Sequence, residues 1–238
     1  MAARKVFSAI VYVLRTGCQW KARPKAFGSA SAIHKHFQQW QRAGFFLALW
    51  RSGLAEYDEM EGMAWGWQSV DGARVKAPRA IEGVGANPTD RGKKGRQRSG
   101  LVDGRGVPLS LVARGANGQE AKLLEATIEG VVSARPAPPR RRRQHLGADA
   151  GYKGTPAPTT AQDQGDQPHI QQRPEEAQAK RTPPGYRARP WVVERTPAWR
   201  NRYRKLWVSF EKTEEGYVAL LTLAAAMICC RQTIVIYG

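Results

Sequence analysis

The sequence is short of acidic residues: 20 Asp and Glu stand against 38 Lys and Arg, which gives a formal net charge of +18. A surplus this large favours a polyanionic partner, because cationic side chains gain affinity by releasing counterions from phosphates. Nucleic acid is therefore the first partner to consider. The hydrophobic share of 42% excludes a mere basic tail and indicates a folded domain.

Cysteine is scarce as well, with only Cys18, Cys229 and Cys230. None has metal-ligand spacing, and an odd count does not indicate a disulfide framework, which fits a reducing cytoplasm. The N-terminus lacks the apolar stretch of a signal peptide. The longest apolar run, residues 217–230, is too short and too interrupted for a membrane span. We expect a cytoplasmic protein with no membrane partner, in which this run is a buried helix and the cysteine pair fills the core.

Apolar spacing predicts three short helices within residues 4–60. Two interpretations remain open for them. In a helix-turn-helix, the second helix would turn a polar face towards DNA; that face consists of His34, Lys35, Gln38, Gln39 and Arg42. In an ordinary helical bundle, the same face would simply be solvated, and on spacing alone the bundle is the commoner solution.

From Trp67 the pattern changes to period two, which predicts a strand over "WQSVDGARVKA". Residues 79–98 are rich in Gly, Lys and Arg and are predicted to be a mobile basic loop. A hairpin joined by residues 103–106 follows, then a helix over "EAKLLEATIEGVV" and a short strand over "HLGADAG". This order predicts an α/β domain with a mixed sheet flanked by helices.

Two aspartates are not explained by a surface position. Asp71 falls inside the first strand, where aspartate is disfavoured, and Asp149 ends the strand after the helix, at an edge where α/β proteins place their sites. Carboxylates of this kind suit Mg²⁺, and two such ions can clamp both oxygens of a phosphodiester reaction. Glu194 is the candidate third carboxylate, although a capping or ion-paired role explains it at least as well.

Four long blocks around these residues carry a family resemblance, and they occur in the family's order: "VDGARVKAPR", "LVDGRGVPLSLVARGANGQEAKLLEATIE", "GADAGYKG" and "GYRARPWVVERTPAWRNRYRKLWVSFEK". They resemble the DDE transposases of bacterial insertion sequences, of the fifth insertion-sequence family. The segment "VLRTGCQWKARPKAFGSASAIHKHFQQWQRAGFFLALW" looks like that family's N-terminal helical region, so the resemblance covers nearly the whole chain.

The resemblance implies a helical, helix-turn-helix-like DNA-binding region over residues 1–62 and a ribonuclease H-like DDE catalytic domain over residues 63–238. It matches Asp71, Asp149 and Glu194 to the family's three acidic residues. These would bind two Mg²⁺ and activate water, then a 3′-hydroxyl, to cut and rejoin DNA at the element ends. Phosphoryl transfer depends more on metal-stabilised charge than on covalent help.

The implied partner is double-stranded DNA, both the terminal inverted repeats and the target, and a homo-oligomer on DNA is left open. Residues predicted to contact DNA share a positive or titratable side chain: His34, Lys35, Arg42, Arg195, Arg202, Lys205 and Lys212. For those that follow Glu194, the alternative is a solvated basic helix face.

Several prolines depart from the family's pattern: Pro156, Pro158, Pro190 and Pro197. Proline inside a helix costs about 3 kcal/mol, so we expect the helix near Glu194 to begin at Thr196 or to bend there. The chain also starts later than the family's usual first segment. These departures keep a second interpretation open, a non-catalytic DNA-binding remnant of a transposase. A basic structural or RNA-binding protein would leave Asp71 and Asp149 unexplained.

Overall fold

The computed structural model describes residues 2–136, 144–148, 162, 166–170 and 202–237. It begins with the three predicted helices: α1 (Ala3–Thr16), α2 (Ala30–Arg42) and α3 (Phe45–Glu61). Gly17 ends α1 in the left-handed conformation with φ 72°, which glycine adopts without strain. The Ser29 hydroxyl caps α2 by accepting a hydrogen bond from the Ala32 amide. The three helices predicted within residues 4–60 are confirmed.

A mixed sheet follows the helices, and its described strands are β1 (Trp67–Lys76), β2 (Gly85–Ala86), β3 (Lys94–Asp103), β4 (Pro108–Gly115), β5 (Gln144–Ala148) and β6 (Asp166–Ile170). The hairpin of β3 and β4 is the one predicted from sequence. Helix α4 (Glu120–Glu129) connects it to β5, and a last helix, α5 (Glu214–Tyr237), follows a 3₁₀ turn at Arg204–Leu206.

The strand order is β2-β3-β1-β5-β6, with β4 also paired to β3. Strand β1 runs antiparallel to β3 and parallel to β5, and β5 runs parallel to β6. The predicted mixed sheet flanked by helices, after an N-terminal helical region, is confirmed. A division between residues 62 and 63 stays a prediction, although α3 ends at Glu61 and β1 starts at Trp67.

Helix α5 is shared by the two halves of the molecule. One apolar cluster joins it to α1 and α2 through Ile10, Phe37 and Leu220. A second cluster joins it to α3 and the sheet, and the Trp50 indole of α3 donates a 3.1 Å hydrogen bond to the Pro108 carbonyl. The N-terminal helices therefore do not form their core alone.

By length and composition, α5 could cross a membrane from Glu214 to Val235, but 61% of its apolar window is buried inside the protein. Such burial is that of a core helix, as the sequence predicted for this run. Cys229 is fully buried and fills that core. Burial raises the pKa of its thiol far above the ordinary value, so the thiol stays protonated.

The prediction of a mobile basic loop over residues 79–98 is wrong. Strand β3 already begins at Lys94, and Arg96 is 0% exposed. Its guanidinium donates to the Glu82 carbonyl at 2.7 Å, to the Gly83 carbonyl at 3.2 Å and to the Ser209 hydroxyl at 2.5 Å. Charge suggested solvent exposure, but a buried arginine is tolerated when its donors are satisfied in this way.

Candidate active site

Asp71 lies in the middle of β1, directly after the fully buried Val70. Its side chain is half-buried. Across the antiparallel pair it faces Gly100 of β3, which has no side chain to cover it.

The register of the parallel strands relates Asp71 to the end of β5. Val70 of β1 pairs with Ala148, the last residue of β5. Asp71 and Asp149 are the next residues of the two chains. Neighbouring strands lie about 4.8 Å apart, and residues in register on parallel strands share a face of the sheet.

The other two predicted carboxylates, Asp149 and Glu194, lie outside the described residues, as do Arg195 and the four prolines at positions 156, 158, 190 and 197. Within the part of the chain that the structure describes, no group of three or more His, Cys, Asp or Glu side chains converges. Of the predicted triad, then, only Asp71 has a described position.

Four residues of the predicted DNA-contacting set are exposed: Lys35, Arg42, Arg202 and Lys212. His34 is half-buried, and its ring lies 5.0 Å from that of Trp20 in an edge-on contact. This contact gives His34 a packing role beside the DNA-binding one expected from sequence.

Lys205 was predicted to hold phosphate, but in the structure its side chain is buried and paired with a carboxylate. It is 5% exposed, and its ammonium lies 3.6 Å from the Glu211 carboxylate and 5.9 Å from the Trp20 ring centre. A buried lysine needs such a partner, because an unpaired charge in the interior is costly. We therefore leave Lys205 out of the residues proposed below to contact DNA.

A surface groove of about 840 Å³ runs between one face of α2 and the segment before α5. Its walls include His34, Lys205 and Lys212, so it brings together three predicted residues that are distant in sequence. Four aromatic or basic residues of its lining were missed from sequence: Trp20, Lys21, Arg79 and Phe210. In "WKAR" and "FEK" an aromatic residue stands within two positions of a lysine, which is the signal that could have found Trp20, Lys21 and Phe210.

A pair of histidines on the parallel strands β5 and β6 was also missed from sequence. His145 Nδ1 and His169 Nε2 lie 2.8 Å apart on β5 and β6, and the Trp67 ring stacks on both. Burial, and then the neighbouring His145, lower the pKa of His169 below its ordinary value. At least one ring must be neutral to accept this hydrogen bond.

Comparison with protein families gives two matches along the chain. Residues 1–50 match the model of a putative transposase of the IS4/5 family, and residues 68–229 match the model of the transposase DDE domain. The chain is also 31% identical over 162 residues, 67% of this chain and 72% of the relative, to a putative transposase for insertion sequence element IS402 of Burkholderia cepacia.

Among solved structures, similarity extends to the pre-cleavage Mos1 transpososome, with a TM-score of 0.32, 9% identity, and coverage of 96% of this chain and 78% of that chain. For the catalytic domain of the Mos1 mariner transposase the TM-score is 0.31 at 9% identity, covering 82% of this chain and 94% of that one.

Proposed function

This chain belongs to the DDE transposases of the IS4/5 family, and on that premise we propose that it cuts and rejoins DNA at insertion-sequence ends. In this proposal Asp71, Asp149 and Glu194 are the three catalytic carboxylates. The DNA partners are the terminal inverted repeats and the target. The protein binds them in the bacterial cytoplasm.

The observation that carries the proposal is the pairing of Val70 with Ala148. If this register continues by one residue, Asp149 stands beside Asp71 on the same face of the sheet. Strands about 4.8 Å apart would then present two carboxylates at the separation needed to share metal ions. Glu194 joins them in the proposal through its place in the family's "W-V-V-E-R-T" block alone.

DDE transposases generally use divalent metal ions, and the donor set proposed here suits Mg²⁺, because carboxylate oxygens are its preferred protein ligands. Bound there, two Mg²⁺ would supply the positive charge that stabilises attacking and leaving oxygens. Asp71 would bind these ions from β1, a strand that is paired with β3 on one side and with β5 on the other. That rigidity matters because a misplacement of about 1 Å can cost roughly a hundredfold in rate.

Lys35, Arg42, Arg195, Arg202 and Lys212 would position DNA by contacting phosphates. For the four that the structure describes, exposure supports the assignment, since each side chain reaches solvent. Phosphate contacts fix the register of a protein on a duplex without reading its sequence.

The test is cleavage of linear DNA carrying the element's own ends, with Mg²⁺ or with chelator. The unmutated protein should release the ends only with Mg²⁺. Asp149→Ala should lower the cleavage rate roughly a thousandfold, since metal-stabilised charge is worth several kcal/mol, while DNA affinity stays the same. Asp90→Ala is the matched control, because Asp90 is an aspartate paired with Lys76 at 3.6 Å outside the proposed site.

Two results would count against the proposal. Cleavage retained by Asp149→Ala would remove that residue from the site. An unmutated protein that binds the ends but never cleaves them would instead be the non-catalytic remnant.

A further inference from the structure

We propose that the groove between α2 and the segment before α5 binds an unpaired stretch of a DNA strand. A base would lie against Trp20 and Phe210, and phosphates would lie against Lys21, Arg79 and Lys212. This inference rests on the proposed function, because it assumes DNA as the substrate, and it specifies which form of DNA this surface takes.

The aromatic side of the groove has one fixed and one accessible ring. The Trp20 indole donates a 3.3 Å hydrogen bond to Glu211 Oε1, and its ring lies 5.1 Å from that of Phe37. Phe210, by contrast, is 46% exposed. Both rings line the groove, and the Lys205 ammonium lies 5.9 Å from each ring centre. The exposed part of the Phe210 ring still offers a surface on which any base can stack, because every base has a π-face.

The charge of the groove is positive despite Glu211. That carboxylate is occupied by the Trp20 N–H and by the ammonium of Lys205 at 3.6 Å. Lys21, Arg79 and Lys212 are exposed, and none of them makes an ion pair with a residue that the structure describes. Three free cations around an aromatic platform complement a phosphodiester strand.

The size of the groove favours single nucleotides over a duplex. Its volume of about 840 Å³ lies in the range of clefts that enclose small organic ligands. Bases inside a duplex are stacked on each other and cannot also stack on a ring of the groove. The occupant is therefore an unpaired nucleotide, in an overhang or a locally opened end.

The test compares a blunt duplex with the same duplex carrying a single-stranded overhang that contains 2-aminopurine. Affinity is measured by fluorescence anisotropy, and stacking by quenching of 2-aminopurine. Phe210→Ala should weaken binding of the overhang DNA about tenfold, remove the quenching and leave the blunt duplex unaffected. Trp207→Ala is the matched control, because Trp207 is 52% exposed and lies outside the groove.

A full-length protein that binds both DNAs equally, or a Phe210→Ala variant no weaker than Trp207→Ala, overturns the groove proposal and leaves the proposed function standing. Equal loss on both DNAs in Phe210→Ala overturns it as well, since the groove would then contact duplex. Failure of the unmutated protein to bind either DNA contradicts the proposed function itself.

Discussion

The point where the β1–β5 pairing ends beside Asp71, called the edge below, and the groove at Trp20 are built in different ways. At the edge, backbone pairing does the positioning: Val70 and Ala148 are neighbours in a parallel ladder. At the groove, side chains from α2, the loop after α1 and the segment before α5 meet only because the core packs them together. The edge therefore depends on local strand pattern, whereas the groove depends on the whole fold.

Arg96 links the two regions, and its removal should have the largest effect on stability. It lies on β3, beside the strand that carries Asp71, and it holds Ser209 next to the groove. Arg96→Leu should lower the free energy of unfolding by about 3 kcal/mol, because the buried Ser209 hydroxyl and several backbone carbonyls lose their donor. Urea unfolding measures the change.

The matched control for this variant is Lys93→Leu, at an exposed site one residue before the same strand. Surface substitutions usually change stability by less than about 0.5 kcal/mol. Equal destabilisation by the two variants would show that Arg96 does not tie the regions together.

Two lysines that line the groove, Lys205 and Lys212, should contribute differently to DNA binding, and the expected effect is smaller than that of Arg96→Leu. Lys212 is exposed, whereas Lys205 is 5% exposed and paired with Glu211. Lys212→Ala should reduce the slope of log affinity against log salt by about 0.7 on overhang DNA, as expected for one lost contact to single-stranded phosphate. Lys205→Met should leave that slope unchanged, and circular dichroism verifies that it is folded. If Lys205→Met lowers the slope instead, Lys205 contacts a DNA phosphate.

The smallest expected effect concerns pH and the histidine pair on β5 and β6. Because the pKa of His169 is lowered in the folded protein, the unfolded chain takes up the proton first as pH falls through the ordinary value of about 6.5. This residue should therefore contribute a loss of stability below that pH and no pH dependence well above it. His169→Gln should make unfolding less sensitive to pH between neutral and mildly acid conditions. An unchanged pH dependence would contradict this assignment.

Sequence patterns predicted the edge better than the groove for a physical reason. Alternation located β1, and the Asp-Gly turn at Asp103 located the hairpin, because both depend on neighbouring residues. Asp71 could be singled out because aspartate is rare within a strand. The same local reasoning placed Arg96 in a mobile loop and Lys205 on the surface, since the carbonyls and the carboxylate that satisfy them come from distant segments.

The central claim is that Asp71 and Asp149 share a metal site, and cleavage of the protein chain by bound iron tests it most directly. Fe²⁺ with ascorbate generates radicals that cut the backbone beside the ion, and mass spectrometry locates the cuts. If the two aspartates share a metal site, cuts are expected around both residue 71 and residue 149, and they should be suppressed by excess Mg²⁺ and lost in Asp71→Ala. Cuts at only one of the two positions, or cuts that Mg²⁺ does not suppress, would contradict it.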